Sequence, residues 1–179
     1  IYFDMRDETA MKEQVREVLS KPKVHIDTLV NNAGVCEIKL FMMTTVETIR
    51  KIFEVNLFSH MRLTQLILKR MSEGGSIINI ASIDAMEPQC GESGYATSKA
   101  AMVAWTEVLR RELLGRIRVN AVAPHAVDTD LAHGIESQAG WNEKDLLTPE
   151  SIAKLVFFLA SDEASDINGE VIRVKGKHI

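Results

Sequence analysis

Five short apolar runs punctuate the chain: IYF (1–3), VHIDTLV (24–30), SIINIA (76–81), IRVNAVA (117–123) and EVIRVK (170–175). Each is rich in β-branched residues and of strand length. Between them, helical patterns run near 8–20, 45–72, 94–114 and 149–160. Strands alternating with helices predict βαβ units and a largely parallel sheet. The runs carry few alternating charges, as strands covered on both faces should. Helix starts are marked locally. Asp7 is placed to cap the first helix, and Thr44 with Glu47 has capping-box spacing. Thr148-Pro149-Glu150 reads as N-cap, N1 proline and early acid. No repeat, low-complexity tract or linker interrupts the pattern, so residues 1–179 read as one α/β domain.

In open parallel sheets, ligands bind where the strands end. IYF is followed by Asp4, and DTLV by Asn31-Asn32-Ala33-Gly34. SIINIA is followed by Ser82, and IRVNAVA by Pro124-His125-Ala126-Val127-Asp128-Thr129. Any one of these is an ordinary turn residue; four along one sheet edge point to a site. Within 45–72 the apolar stripe runs through Ile49, Ile52, Phe53, His60, Leu63 and Ile67, and Asn56 falls inside it. A buried asparagine needs partners, either in nearby backbone or at a site. Tyr95 and Lys99 stand four apart in SGYATSKAA, on one face of a helix, with only small residues between.

Composition narrows the classes. Hydrophobic residues are 46% and charged residues 26%, which suits a globular protein. A net charge of −4 argues against a nucleic-acid or anionic-membrane partner. No apolar run approaches a membrane span. The five histidines lack ligand spacing, so no metal is expected. Cys36 and Cys90 read as reduced thiols of a cytoplasmic protein.

Asn31-Asn32-Ala33-Gly34, then Asn56, then Ser82, twelve intervening residues, Tyr95, three residues and Lys99 together resemble the short-chain dehydrogenase/reductase family. The VNAVAP segment and the LASDEAS…NGEVI tail resemble its 3-oxoacyl-carrier-protein reductase-like subgroup. The resemblance implies a Rossmann-like, doubly wound parallel sheet and hydride transfer between NADP or NAD and a small carbonyl or alcohol. It implies that Tyr95 supplies the proton, that Lys99 lowers the Tyr95 pKa and binds the nicotinamide ribose, and that Ser82 hydrogen-bonds the substrate oxygen. Asn56 would hold a relay water. Asp4 would meet the adenine amine, and Asn32, Ala33 and Gly34 the adenosine ribose. Pro124 would belong to the cofactor site, Val127 would offer backbone groups to the carboxamide, and Thr129 a hydroxyl to carboxamide or phosphate. Asn31 is expected to tie its strand to its neighbours. The resemblance also implies a homodimer or homotetramer through helices 45–72 and 94–114.

Two departures stand out. His125 replaces the glycine usual after Pro124. The family's Gly-rich βα start is absent, so the sheet is expected to lack the first two βα units, with IYF as the third strand and VHIDTLV as the fourth. A truncated record of an active enzyme is one reading of this; a non-catalytic remnant serving as an oligomerising partner is the alternative. Without the Gly-rich turn, this chain alone is expected to bind NAD(P)H weakly and to dissolve poorly. Residues 130–147 should form a lid, with Leu131, Ile135 and Trp141 lining the pocket. Met86 and Cys90 are placed to touch substrate.

Overall fold

The computed structural model describes residues 2–135 and 146–176. Helix α1 (Glu8–Ser20) precedes strand β1 (Ile26–Asn31). Helices α2 (Val46–Phe53) and α3 (Ser59–Ile67) are joined by a π turn at Glu54–Phe58 and lead to β2 (Met71–Ile80). Then come α4 (Ser93–Glu112), β3 (Ile117–Pro124), the short α5 (Asp130–His133), α6 (Pro149–Ala160) and β4 (Val171–Val174). The four strands are parallel, in the order β1-β2-β3-β4.

Alternation along the strands decides the two layers. Ile77 and Val119 face a core of Met11, Val15, Leu29, Ile67, Leu109 and Leu113, beneath α1, α3 and α4. Ile78, next to Ile77, and Val122, three residues past Val119, point to the opposite face and pack with Leu159 of α6. Residues one apart on a strand serve opposite faces, so the sheet is wound on both sides. Arg118 secures the second layer by donating to the carbonyls of Leu159, Ser161 and Ala164 at the end of α6.

The caps show which local signals act. Asp7 accepts from Ala10 N, and Thr148 from Ser151 N, as expected. At α2 the cap is Thr45, not Thr44: Thr45 accepts from Thr48 N. Thr44 instead donates to the carbonyls of Lys39 and Leu40, tying down the preceding turn. The helix expected over 45–72 is broken by the π turn and gives way at Met71 to a strand that starts earlier than expected. Gly74 and Gly75 permit this. Gly74 has a φ of +79°, and a Cβ on Gly75 would lie 2.8 Å from the Asp27 carbonyl oxygen.

Tyr2 and Phe3 lie outside the sheet. Tyr2 is 98% exposed and Phe3 packs against the α1 core instead. A strand exists by pairing, and among the described residues β1 pairs with β2 alone. Asn31 does tie its strand to the next, donating to Asn79 Oδ1 at 2.8 Å.

Candidate functional site

The loops that follow β1, β2 and β3 line one cleft of about 1140 Å³. It lies at the carboxyl edge of the sheet, where parallel strands release their backbone groups. Asp4, Asn32, Ala33, Gly34, Ser82, Tyr95, Lys99, Pro124, Val127 and Thr129 all reach it, drawn from segments far apart in sequence.

Behind this lining stands Asn56. The π turn, a device common at functional sites, holds it completely buried, at 0% exposure. Its Nδ2 donates to Val35 O and to Ser98 Oγ, each at 3.0 Å, and its Oδ1 accepts from Val35 N at 2.8 Å. The carboxamide thus stitches the loop after β1 to α4. It makes no direct bond to Lys99. The two converge nonetheless: a Cβ on Gly34 would lie 3.5 Å from Lys99 Nζ and 3.6 Å from Asn56 Oδ1.

Lys99 is 3% exposed and donates to Ile80 O at 2.8 Å. Burial disfavours its ammonium and lowers its pKa to about 8. Tyr95, one turn earlier, has its ring centroid 5.8 Å from Lys99 Nζ. The sequence expectation was a tyrosine made more acidic by that ammonium. The shift runs the other way. Burial raises the Tyr95 pKa, Cys36, Asp84 and Glu92 raise it further, and only the Ser82 hydrogen bond opposes them. Desolvation is the largest cause, and the Lys99 ammonium lies over the ring.

Ser82 already has a partner. Its Oγ donates to Asp84 Oδ2 at 2.8 Å and caps a single 3-10 turn at Ile83–Ala85. Burial raises the Asp84 carboxyl pKa, against the pull of Ser82. Glu92 stands close by, 5% exposed, with Oε2 accepting from Gln89 N at 2.9 Å. Burial raises it too, and Asp84 adds to the rise. Cys36 lines the same end, its thiol pushed up to about 12 by burial.

The far end is organised by short-range bonds. Arg6 grips both Asp4 carboxylate oxygens, holding its pKa at about 2, so the group expected to meet an adenine is engaged within the chain. Thr129 Oγ1 donates to Val127 O at 3.1 Å, and Val127 bridges to Leu147. His60 Nε2 donates to Ala33 O at 2.8 Å, pinning the Asn-Asn-Ala-Gly loop from below. Burial lowers the His60 pKa, against the pull of its bond to Ala33.

The family described as enoyl-(acyl carrier protein) reductase matches residues 1–176. The chain is 34% identical over 183 residues to 3-oxoacyl-(acyl-carrier-protein) reductase FabG of Thermotoga maritima, covering 97% of this chain and 74% of that protein. It is 36% identical over 160 residues to the FabG of Aquifex aeolicus, covering 84% of this chain and 64% of that one. Among solved structures it resembles a short-chain dehydrogenase/reductase, titled glucose/ribitol dehydrogenase, from Brucella melitensis. There the TM-score is 0.87 at 29% identity, over 97% of this chain and 73% of that one. The ligand-free aldohexose dehydrogenase of Thermoplasma acidophilum gives a TM-score of 0.88 at 28% identity, over 97% of this chain and 75% of that chain. The chain belongs to the short-chain dehydrogenase/reductase family. It is of the 3-oxoacyl-(acyl-carrier-protein) reductase-like type.

In this short-chain dehydrogenase/reductase, two expected substrate contacts lie elsewhere. Met86 packs on the alanines Ala81, Ala121 and Ala123, and Cys90 lines a separate surface depression. Leu131 and Ile135 do line the cleft; Trp141 lies outside the described residues. His125 also lines it, near enough to favour the ionised form of Asp84. Sequence reasoning missed Asp84 and Glu92. Asp84 had a signal, a carboxylate two residues past the expected Ser82; Glu92, beside a helix start, looked like a solvated acid. Among the described residues, no group of three metal-ligating side chains occurs, and no helix is long and apolar enough to cross a membrane.

Proposed function

We infer that this chain is an oxidoreductase that interconverts a carbonyl and an alcohol with NADP or NAD. One observation carries the reading. Ser82, Tyr95 and Lys99 come from two separate elements into one cleft at the carboxyl edge of the sheet, with Asn56 buried behind them. The residues present suit a nicotinamide nucleotide. The cleft is roomy for a drug-sized ligand. Lys99 has three donors, of which one is used on Ile80 O, leaving others for ribose hydroxyls. Hydride is the chemistry such a nucleotide supplies when bound.

The protein's part is proton handling and positioning. Reduction places a hydride on the carbonyl carbon and the Tyr95 proton on the carbonyl oxygen; the phenol is then reprotonated from solvent. Tyr95, like any phenol, holds its proton at neutral pH and has it to give; burial, which raises its pKa, works against the transfer. Ser82 steadies the reacting oxygen by turning its one O–H from Asp84 towards it. Lys99 orients the nucleotide, and Asn56 fixes the wall that both share. Exposed Val46, Phe58, Val108 and Leu114, along the 45–72 and 94–114 segments, support self-association into a homodimer or homotetramer. Free Cys36 and Cys90 support a cytoplasmic protein. The test is fluorescence titration of NADPH and NADH against the chain, with and without Lys99→Ala. Saturable binding weakened by the substitution supports the reading; binding unaffected by it sinks the assignment.

A further inference from the structure

Where the chain leaves β1, one helical face holds it at three points. Asn56 of the π turn bonds both backbone groups of Val35, accepting from N at 2.8 Å and donating to O at 3.0 Å. His60 of α3 donates from Nε2 to Ala33 O at 2.8 Å. Thr64, one turn further on, accepts from Asn31 Nδ2 at 3.4 Å. The holders stand four apart and the held residues two apart, in opposite order along the chain. Four helical residues advance about 6 Å and two extended residues about 6.6 Å, so the two periods stay in step over three rungs. Asn56, His60 and Thr64 are all buried. The held stretch carries Asn32, Ala33 and Gly34, which line the cleft.

The middle rung is the informative one. A carbonyl partner requires the proton on Nε2, which leaves Nδ1 of a neutral ring as a bare acceptor. His60 Nδ1 is buried and has no hydrogen-bond partner among the described residues. Such an orphan costs stability, and an aliphatic side chain would fill the same space without one. Ala33 is only half-buried, so water could serve its carbonyl in place of a histidine. Packing alone therefore does not account for an imidazole here; fixing the direction of the Ala33 carbonyl does. The peptide is planar and trans, so holding its carbonyl towards α3 also fixes the Gly34 N–H. We propose that His60 is a positioning residue for the nucleotide: through the Ala33 carbonyl it sets the peptides of Asn32–Gly34 in the arrangement that receives a ribose. The proposal rests on the oxidoreductase reading for the identity of the ligand.

Three substitutions separate holding from filling. His60→Gln offers an amide N–H at the reach of Nε2, His60→Asn carries the same amide one carbon short, and His60→Leu fills the space without a donor. NADH and NADPH are titrated by fluorescence against each whole chain, with circular dichroism confirming that each folds. His60→Leu and His60→Asn should weaken binding about tenfold, the loss of one hydrogen bond, and His60→Gln should stay within about twofold. Backbone 1H–15N spectra read the loop itself. His60→Leu should displace the amides of Asn32, Ala33 and Gly34, and His60→Gln should return them, with or without nucleotide. In the unaltered chain, long-range 1H–15N correlation should show the His60 ring protonated at Nε2, a reading that needs no variant to fold. A ring protonated at Nδ1 overturns the proposal. So does a loss of affinity that His60→Gln fails to recover. Nucleotide binding that ignores His60→Leu overturns this proposal alone. A loop displaced by His60→Leu and restored by His60→Gln, in a chain that binds neither nucleotide, keeps the clamp and overturns the oxidoreductase reading.

Discussion

Near β1, the polar side chains at the cleft bond to backbone: Asn56 to both groups of Val35, and His60 to the Ala33 carbonyl. Near Ser82, they lean on one another: Ser82 on Asp84, Tyr95 on Ser82, and Asp84 repelling Glu92. The first arrangement fixes shape, because backbone partners do not titrate and hardly move. The second sets chemistry, because each member changes the proton affinity of the next. Lys99 belongs to both: its ammonium holds a backbone carbonyl, yet its own pKa is displaced by burial. Substitutions in the first region should therefore read out as stability, and in the second as rate.

The largest expected effect is at Tyr95. Tyr95→Phe should lower carbonyl reduction by about 10²–10⁴-fold, the usual worth of a positioned proton donor. Nucleotide affinity, followed by fluorescence, should scarcely change. If reduction persists at near the original rate, the rate-setting region has been misplaced.

Lys99 comes next and tests the overlap through pH. Its folded pKa of about 8 lies below the ordinary 10.5. Below pH 8 both folded and unfolded chains hold the proton, and the penalty for burying it is complete. Between pH 8 and 10.5 the unfolded chain keeps a proton that the folded chain has released, so stability rises with pH. Relative to Lys99→Met, the original chain should gain on the order of 3 kcal/mol across that window. Urea unfolding at stepped pH measures it; a flat difference would mean that Lys99 is not desolvated.

Asn56→Ala should cost about 1–3 kcal/mol, since Val35 N, Val35 O and Ser98 Oγ all lose a buried partner. Asn56→Asp should cost more, because its carboxylate faces the Val35 carbonyl without a proton to donate. Chemical denaturation ranks the pair, and the reverse order would contradict the assigned amide orientation. The smallest effect is at the start of α2. Thr45→Ala should cost about 1 kcal/mol and Thr44→Ala less, because only Thr45 caps the helix. Equal losses in thermal melts would restore the capping box to Thr44.

Signals carried by a few neighbouring residues were legible in the chain itself. Asp7 and Thr148 cap their helices, Pro149 opens α6, and the spacing of Tyr95 and Lys99 puts both at one cleft. Asn56 announced itself as a polar residue in an apolar stripe, and it is buried. These follow because capping, proline geometry and helical period act over one or two turns. Tertiary structure decided the rest. IYF reads as a strand by composition, yet pairing requires a neighbour that its own residues do not supply. The π turn at Glu54–Phe58 depends on what Asn56 can reach across the fold. The direction of the Tyr95 shift was hidden for the same reason. The spacing shows a lysine one turn away, but the folded chain alone sets how much water is lost around the phenol and which acids gather there. Proton affinity in a cleft is a sum over everything packed around it, and Asp84 and Glu92 enter that sum only once β2 and α4 are brought together.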